Sequence, residues 1–335
     1  MRHAETLRVY LPTPEHCALA TESKAVRDLL VRHNQSRAEV RFAESPDLAD
    51  VAILIEEFSF KQSDYAQRLQ DDAFVSTHAH KLYTLNYDDT GQGFLPGCYV
   101  SLRRQNFDAR IHRACTLPKT YNEWISPAAA KISDPPDALF SFCGTRLSHP
   151  VRRTIVDSLS GHAEGSVSTV DQELHTHTLE QKMAYAREIL RSHFVLCPCG
   201  HSPSTYRLFE VMQLGRCPVI ISDDWVPIAG VPWDECSIRV PESRVHEIPA
   251  ILESRAADAP ALGRKAAEIW SEHFSEQARY RSYVDMIADL HEYGTRGPAR
   301  SIESLTQRWN SKSFRKGNGW TLSQKVMRKV LLRGR

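Results

Sequence analysis

The chain reads as an α/β protein built from two doubly wound domains. Short apolar strands alternate with amphipathic helices in both halves. A proline-rich break falls between the halves. A length of 335 residues suits two ordinary domains, and a chain of that size buries about three quarters of its unfolded surface without a disulfide or a structural metal.

In the first half, Leu7-Arg8-Val9-Tyr10 is a strand ended by Pro12 and Pro14. Ser23 to His33 carries Val26, Leu29 and Leu30 at helical spacing. Glu39 to Phe42 and Val51 to Ile55 are strands. The second is apolar throughout, as a strand covered on both faces of a parallel sheet should be. Asp64 to Gln70 is a short helix, and the strand Lys81 to Tyr87 runs into the turn signature Asp88-Asp89-Thr90-Gly91. These elements make an N-terminal domain over 1–126. In Ser126 to Asp137 (SPAAAKISDPPD) the adjacent prolines fit neither a helix interior nor a central strand. The linker is therefore set at 127–138.

The second domain, 139–292, repeats the alternation. Strands are expected at Leu139–Cys143, Phe194–Cys197, Pro218–Ile221 and Ile238–Val240. Helices are expected at Pro150–Leu159, Leu179–Arg191, Ser204–Leu214, 245–256, 260–273 and 276–291. Residues 293–335 form a basic tail. From Arg296 onward it holds 11 Lys and Arg against the single acid Glu303, a net charge of +10; the whole chain carries +1, which leaves −9 on the rest. Within the tail, Leu322, Val326 and Val330 lie at helical spacing, flanked by Lys325, Arg328, Lys329 and Arg333.

A net charge near zero excludes whole-molecule attraction to nucleic acid. No apolar run reaches the ~20 residues that span a bilayer. The start (MRHAETLRVYLP) lacks the apolar core of a signal peptide. The eight cysteines therefore read as reduced thiols in the cytoplasm. Cys197-Pro198-Cys199 has the wrong spacing for a CxxC site, and Glu173-Leu174-His175-Thr176-His177 has no third ligand nearby, so no metal is expected.

The chemistry concentrates in Phe194 to Trp225, FVLCPCGHSPSTYRLFEVMQLGRCPVIISDDW. A buried strand ends at Pro198, a turn follows through Gly200, Ser202 and Pro203, and a helix starts near Ser204. A strand, a glycine turn and a helix N-terminus together suit a phosphate. Ser204 and Thr205 offer caps and hydroxyls. Arg207 can present a forked donor to the same anion. Glu210 is placed to accept from two sugar hydroxyls, as acidic groups do on ribose in other α/β folds. Gly215 ends the helix in the left-handed region. The next strand then delivers Ser222-Asp223-Asp224-Trp225 to the sheet edge. On spacing alone, Arg207 and Glu210 also fit an ordinary surface ion pair.

The string decides between these readings. It resembles the exostosin family of glycosyltransferases, whose pattern is F-C-L-x-P-x-G-x-S-P-x-S-x-R-L-F-E-A-x-x-x-G-C-I-P-V-I-x-S-D-D-W. The matching residues are Phe194, Leu196, Pro198, Gly200, Ser202, Pro203, Arg207 to Glu210, Gly215, Pro218 to Ile220 and Ser222 to Trp225. Phe142-Cys143-Gly144-Thr145-Arg146 with Val151-Arg152 resembles the segment that opens the family's donor domain. The firm resemblance covers about 140–245, and Cys199 departs from it, since the family is often basic there.

The resemblance implies a GT-B fold, two Rossmann-like domains facing a central cleft. It also implies inverting transfer from a nucleoside-diphosphate sugar, with a UDP-sugar expected. Arg207 and the Ser204/Thr205 helix start would hold the diphosphate and Glu210 the ribose. Gly144, Arg146, Arg152 or Arg153, Ser202 and Asp223 complete the expected donor site. Protein cations would then stabilise the leaving diphosphate, and no cofactor or divalent metal is expected. Inversion needs a general base in the first domain. Asp88 and Asp89 are the first candidates, Glu56 and Glu57 the second, and His78 or His80 the third. A GDP-sugar enzyme of fucosyltransferase type and a non-catalytic glycan- or nucleotide-binding partner are the alternatives. The expected acceptor is a cell-surface polysaccharide or lipid-linked glycan. Residues 296–335 would supply contact with an anionic membrane at the inner face of the plasma membrane.

Overall fold

The computed structural model describes residues 6–20, 24–57, 65–89, 93–118, 122–125, 135–170 and 177–294. The expected basic amphipathic helix, most of the expected linker and most of Glu173 to His177 lie outside them. The chain divides into two compact units. One holds the residues up to Thr116 together with the chain from Tyr280, and the other spans Leu117–Arg279.

The first unit contains β1 (Leu7–Tyr10), α1 (Lys24–Asn34), β2 (Val40–Phe42), β3 (Val51–Glu56), α2 (Tyr65–Asp71), α3 (Ala73–His78), β4 (Leu82–Asn86), β5 (Gly97–Tyr99) and β6 (His112–Ala114). The sheet runs β2-β1-β3-β4-β5-β6 with every pair parallel. The run VAILIE is buried along its whole length, so β3 lies central in the sheet. On one face Tyr10, Ala52, Leu54, Leu69, Val75 and Leu82 form a core cluster. The strand order reverses between β1 and β3.

The second unit contains β7 (Ala138–Gly144), α4 (Pro150–Leu159), β8 (Gly165–Thr169), α5 (Leu179–Leu190), β9 (Ser192–Pro198), α6 (Tyr206–Gln213), β10 (Cys217–Ile221), β11 (Ile238–Arg239), α7 (Ile248–Glu253) and α8 (Ala259–Ile269). Its parallel sheet runs β11-β10-β9-β7-β8. Relative to its own first strand this is the order of the first unit, and the reversal falls between β7 and β9. Phe140, Phe142, Phe194, Leu196, Val219 and Ile221 fill the core with Ile155 of α4 and Ile248 of α7. Each of the two units is thus a parallel-sheet α/β, Rossmann-like fold.

Four elements have no counterpart in the sequence reading. Strands β5 and β6 are three residues each, too short to show a period. The edge strand β8 (GSVST) is polar and half exposed. Helix α3 follows α2 at once, started by Asp72, whose side chain accepts from the Val75 N–H at 3.1 Å. The helix expected at 245–256 becomes a 3-10 turn, Glu242–Glu247, followed by α7. The one expected at 260–273 becomes α8 and a π-helical turn, Trp270–Phe274.

Two boundaries differ from the expected 1–126 and 139–292. The first unit ends at Thr116. Beyond it, Asn122 donates to the Lys182 carbonyl of α5 at 3.2 Å, which ties that stretch to the second unit. Helix α9 (Glu276–Tyr293) was expected within the second domain, but from Tyr280 it belongs to the first unit. It buries Tyr280, Tyr283, Val284, Ile287 and Leu290. The Tyr283 hydroxyl donates to the Thr116 carbonyl at 2.8 Å, and Asp285 and Asp289 pair with Arg37 and Arg113 at 2.6 and 2.5 Å. Sequence proximity suggests the wrong sheet here, because an apolar helix face does not specify its partner. Among the described residues no helix is long and apolar enough to cross a membrane.

Candidate functional site

In open α/β sheets, ligands bind beyond the strand C-termini where the strand order reverses. In the second unit that point lies between the ends of β7 and β9. The chain there reads Cys143-Gly144-Thr145 on one side and Pro198-Cys199-Gly200 on the other. Arg207 and Arg152 both reach this point.

Arg207, in the first turn of α6, is 7% exposed. Its guanidinium lies over the Phe142 ring, 4.8 Å from the centroid, and 5.9 Å from that of Tyr185. One Nη donates to the Cys143 carbonyl. Its Nε and other Nη are buried with no hydrogen-bond partner among the described residues. Glu210, one turn along the same helix, is 4% exposed. One carboxylate oxygen accepts from the Tyr185 hydroxyl at 2.8 Å, and Oε1 is buried with no partner among the described residues. Burial pushes the Glu210 carboxyl above its ordinary value, against the pull of Tyr185 and Arg207. A surface ion pair does not look like this. Two opposite charges are out of water, and each leaves hydrogen-bonding capacity unused. Each such orphan costs about 1–3 kcal/mol until a ligand meets it.

Arg152, in α4, is 8% exposed. Its donors go to the carbonyls of Cys199 (2.8 Å), Pro198 (3.3 Å) and Thr145 (3.4 Å), so it clamps the two loops together. Burial, then Arg207, lower its pKa to about 9. Gly144 is what lets the arginines come so close: a Cβ there would lie 2.6 Å from Arg207 Nη2.

Ser202 Oγ accepts from the Ser204 N–H at 3.2 Å, and both serines are buried. Thr205 stands at the N-cap of α6, but its hydroxyl makes no capping bond, contrary to the expected role. Asp223 is exposed, and its carboxylate is turned to the neighbouring turn, where it accepts from the Glu242 N–H at 3.2 Å. Arg146 is also exposed. Tyr185 escapes a sequence reading. It is a tyrosine inside an ordinary amphipathic helix, and only the fold brings it under both Arg207 and Glu210.

Of the base candidates in the first unit, Asp88 is 1% exposed just beyond the end of β4, and Asp89 is exposed. Glu56 ends β3 at the first unit's reversal point but is engaged by the Tyr65 and Thr84 hydroxyls and by Asn86 Nδ2 at 3.2 Å. Burial raises its pKa. His78 is buried and His80 exposed, and Glu57 is half-buried. A separate cluster, His149, Cys199 and Glu242, brings its ligand atoms within 4.8 Å of one another. Burial, then Glu242, push the Cys199 thiol up to about 12.

A family model described as the Exostosin GT47 domain matches residues 73–255, more than half of the chain, and so reaches into the first unit. The chain is 42% identical over 81 residues (24% of this chain, 19% of the relative) to a "Probable glucuronosyltransferase" of Oryza sativa subsp. japonica. It is 43% identical over 72 residues (21% of this chain, 18% of the relative) to a "Probable beta-1,4-xylosyltransferase" of Arabidopsis thaliana. The matches thus span about a fifth of those relatives' length. Among solved structures, a sucrose-phosphate synthase of Thermosynechococcus elongatus aligns over 85% of this chain and 99% of its own, at 12% identity and a TM-score of 0.43. HepE of Anabaena in complex with UDP aligns over 85% of this chain and 100% of its own, at 10% identity and a TM-score of 0.38.

Proposed function

The chain belongs to the exostosin GT47 family, and from that premise we propose that it is an inverting glycosyltransferase using a nucleoside-diphosphate sugar, UDP-linked. The observation that carries this reading is the buried Arg207–Glu210 pair at the second unit's reversal point, with donors and an acceptor left unused. Arg207 and the start of α6 hold the diphosphate. Glu210, oriented by Tyr185, accepts from the ribose hydroxyls. Arg152 positions both loops rather than touching phosphate. The glucuronosyl- and xylosyltransferase names of the plant relatives support sugar transfer.

In the reaction, an acceptor hydroxyl attacks the anomeric carbon from the face opposite the diphosphate. The new C–O bond forms as the bond to the diphosphate oxygen breaks. The acceptor proton needs a carboxylate base, for which Asp88 stands ahead of Asp89 because its buried position at a strand end fixes it in place. The leaving diphosphate gains charge, which Arg207 and the positive end of the α6 dipole stabilise. The acceptor is a surface polysaccharide or a lipid-linked glycan, with the basic tail 296–335 drawing the enzyme to an anionic membrane from the cytoplasmic side.

Thermal-shift measurement with UDP and with GDP is the direct test. UDP should raise the transition of the wild type and leave that of Arg207→Ala and Glu210→Ala unmoved. A response to GDP alone would favour the fucosyltransferase-like alternative, and UDP binding without transfer from UDP-glucuronic acid, UDP-xylose or other UDP-sugars would favour a non-catalytic role. Liposome sedimentation tests the tail: equal binding to anionic vesicles by a chain ending at 294 would exclude it as the membrane contact.

A further inference from the structure

We propose that His149, Cys199 and Glu242 form a binding site for a borderline-soft divalent transition cation, zinc foremost, that ties three segments together beside the donor loops. His149 starts α4, Cys199 follows β9, and Glu242 opens the 3-10 turn after β11. Cys199 Sγ lies 3.3 Å from His149 Nδ1 and 3.5 Å from Glu242 Oε1. His149 Nδ1 lies 3.8 Å from Glu242 Oε2. Zinc bonds of about 2.0–2.3 Å in tetrahedral geometry separate ligand atoms by about 3.3–3.6 Å, so the two edges from sulfur already match that tetrahedron, and a small turn of the Glu242 carboxylate, whose Oε1 faces Cys199 and whose Oε2 faces His149, closes the third.

One sulfur, one imidazole nitrogen and one carboxylate are the donor types zinc takes, and they are unsuited to magnesium or calcium. The thiolate and the carboxylate balance a divalent charge. The Cys199 side chain is buried, while those of His149 and Glu242 are 27% and 24% exposed. The cation thus has a way in, and a fourth position is left for water. Outer contacts orient the ligands: the Asp223 N–H donates to Glu242 Oε1 at 3.0 Å, and the Cys199 carbonyl is held by Arg152. The Val151 N–H competes for the His149 Nδ1 lone pair, but at 3.3 Å it is a long bond that a cation would displace. Binding proceeds as thiol plus cation giving the metal thiolate and one proton released to the buffer. The site lies outside the donor-contacting residues, so it stands or falls separately from the nucleotide reading.

The test uses the chelator-stripped 335-residue chain titrated with Zn²⁺ and, as a spectroscopic probe, Co²⁺. Wild type should bind one equivalent, release close to one proton, show a thiolate-to-cobalt charge-transfer band, and gain a few degrees of thermal stability at a metal concentration ~100 times Kd. Cys199→Ser should lose the band and the proton while still unfolding cooperatively. If that variant does not fold, His149→Ala and Glu242→Gln, altered at partly exposed side chains, carry the comparison through lost stoichiometry. The proposal is overturned if wild type retains no stoichiometric metal. It is equally overturned if the variants match wild type in metal count and band, which would place binding at another cysteine or at the His175/His177 pair.

Discussion

Arg207 and Glu210 sit three residues apart on one helix, a spacing that by itself favours a surface ion pair. Burial, the Phe142 ring and Tyr185 make them something else. Glu210→Gln should weaken UDP binding about 10–100-fold, because one charged acceptor of ligand hydroxyls is lost. Tyr185→Phe should weaken it only several-fold, by freeing the carboxylate to turn; calorimetry distinguishes the two. The raised Glu210 pKa gives two pH dependences of opposite sign. Binding should weaken as pH falls from neutrality, because Glu210 protonates above the ordinary carboxylate range while facing Tyr185, Arg207 and Cys197. Stability runs the other way. A folded-state pKa raised above the unfolded one adds stability that is full below the unfolded value and is lost as pH rises through the folded value. The difference between wild type and Glu210→Gln isolates both effects: relative to the variant, wild type should gain stability as pH falls and UDP affinity as pH rises. Arg207 and Glu210 were legible as site candidates in the residue string. Tyr185 was not, because nothing in the composition of its helix marks the one side chain that meets another element's carboxylate.

At the level of elements, the turn residues behave as their chemistry demands. Gly215 follows α6 at φ +66°, and the Gly215 and Arg216 N–H groups return to the Met212 and Val211 carbonyls at 3.0 and 3.1 Å. Gly215→Ala should cost about 1–2 kcal/mol in denaturant unfolding, since a Cβ is disfavoured in that region. Gly144→Ala should behave differently. The new methyl would push Arg207 aside, so UDP affinity should drop more than stability does. Comparing ligand titration with chemical denaturation of the same variant separates these effects. Long apolar strands such as β3 and β9 can be read from the sequence, because burial on both faces leaves an unbroken apolar run. β5 and β6 cannot, because three residues hold too little pattern; β5 is fixed instead by pairing with β4, and β6 by pairing with β5.

At the scale of the whole molecule, the first unit is completed by chain from the far end of the sequence. Helix α9 buries five large side chains there, each contributing about 1.5–3 kcal/mol, together comparable with the stability of an entire domain. A chain ending at 279 should therefore lose the near-ultraviolet circular dichroism and cooperative unfolding of that unit, whereas one ending at 294 should keep both. The sequence by itself determined the α/β class, the number of units, the family string and the strand and helix that carry Arg207 and Glu210. These are encoded locally, in hydrophobic period, turn chemistry and an unbroken motif. The tertiary structure decided which sheet α9 covers, that Arg152 clamps backbone carbonyls, that Tyr185 orients Glu210, and that His149, Cys199 and Glu242 meet. Each of those depends on which distant segments become neighbours, and an apolar face or a lone polar residue carries no address for its partner.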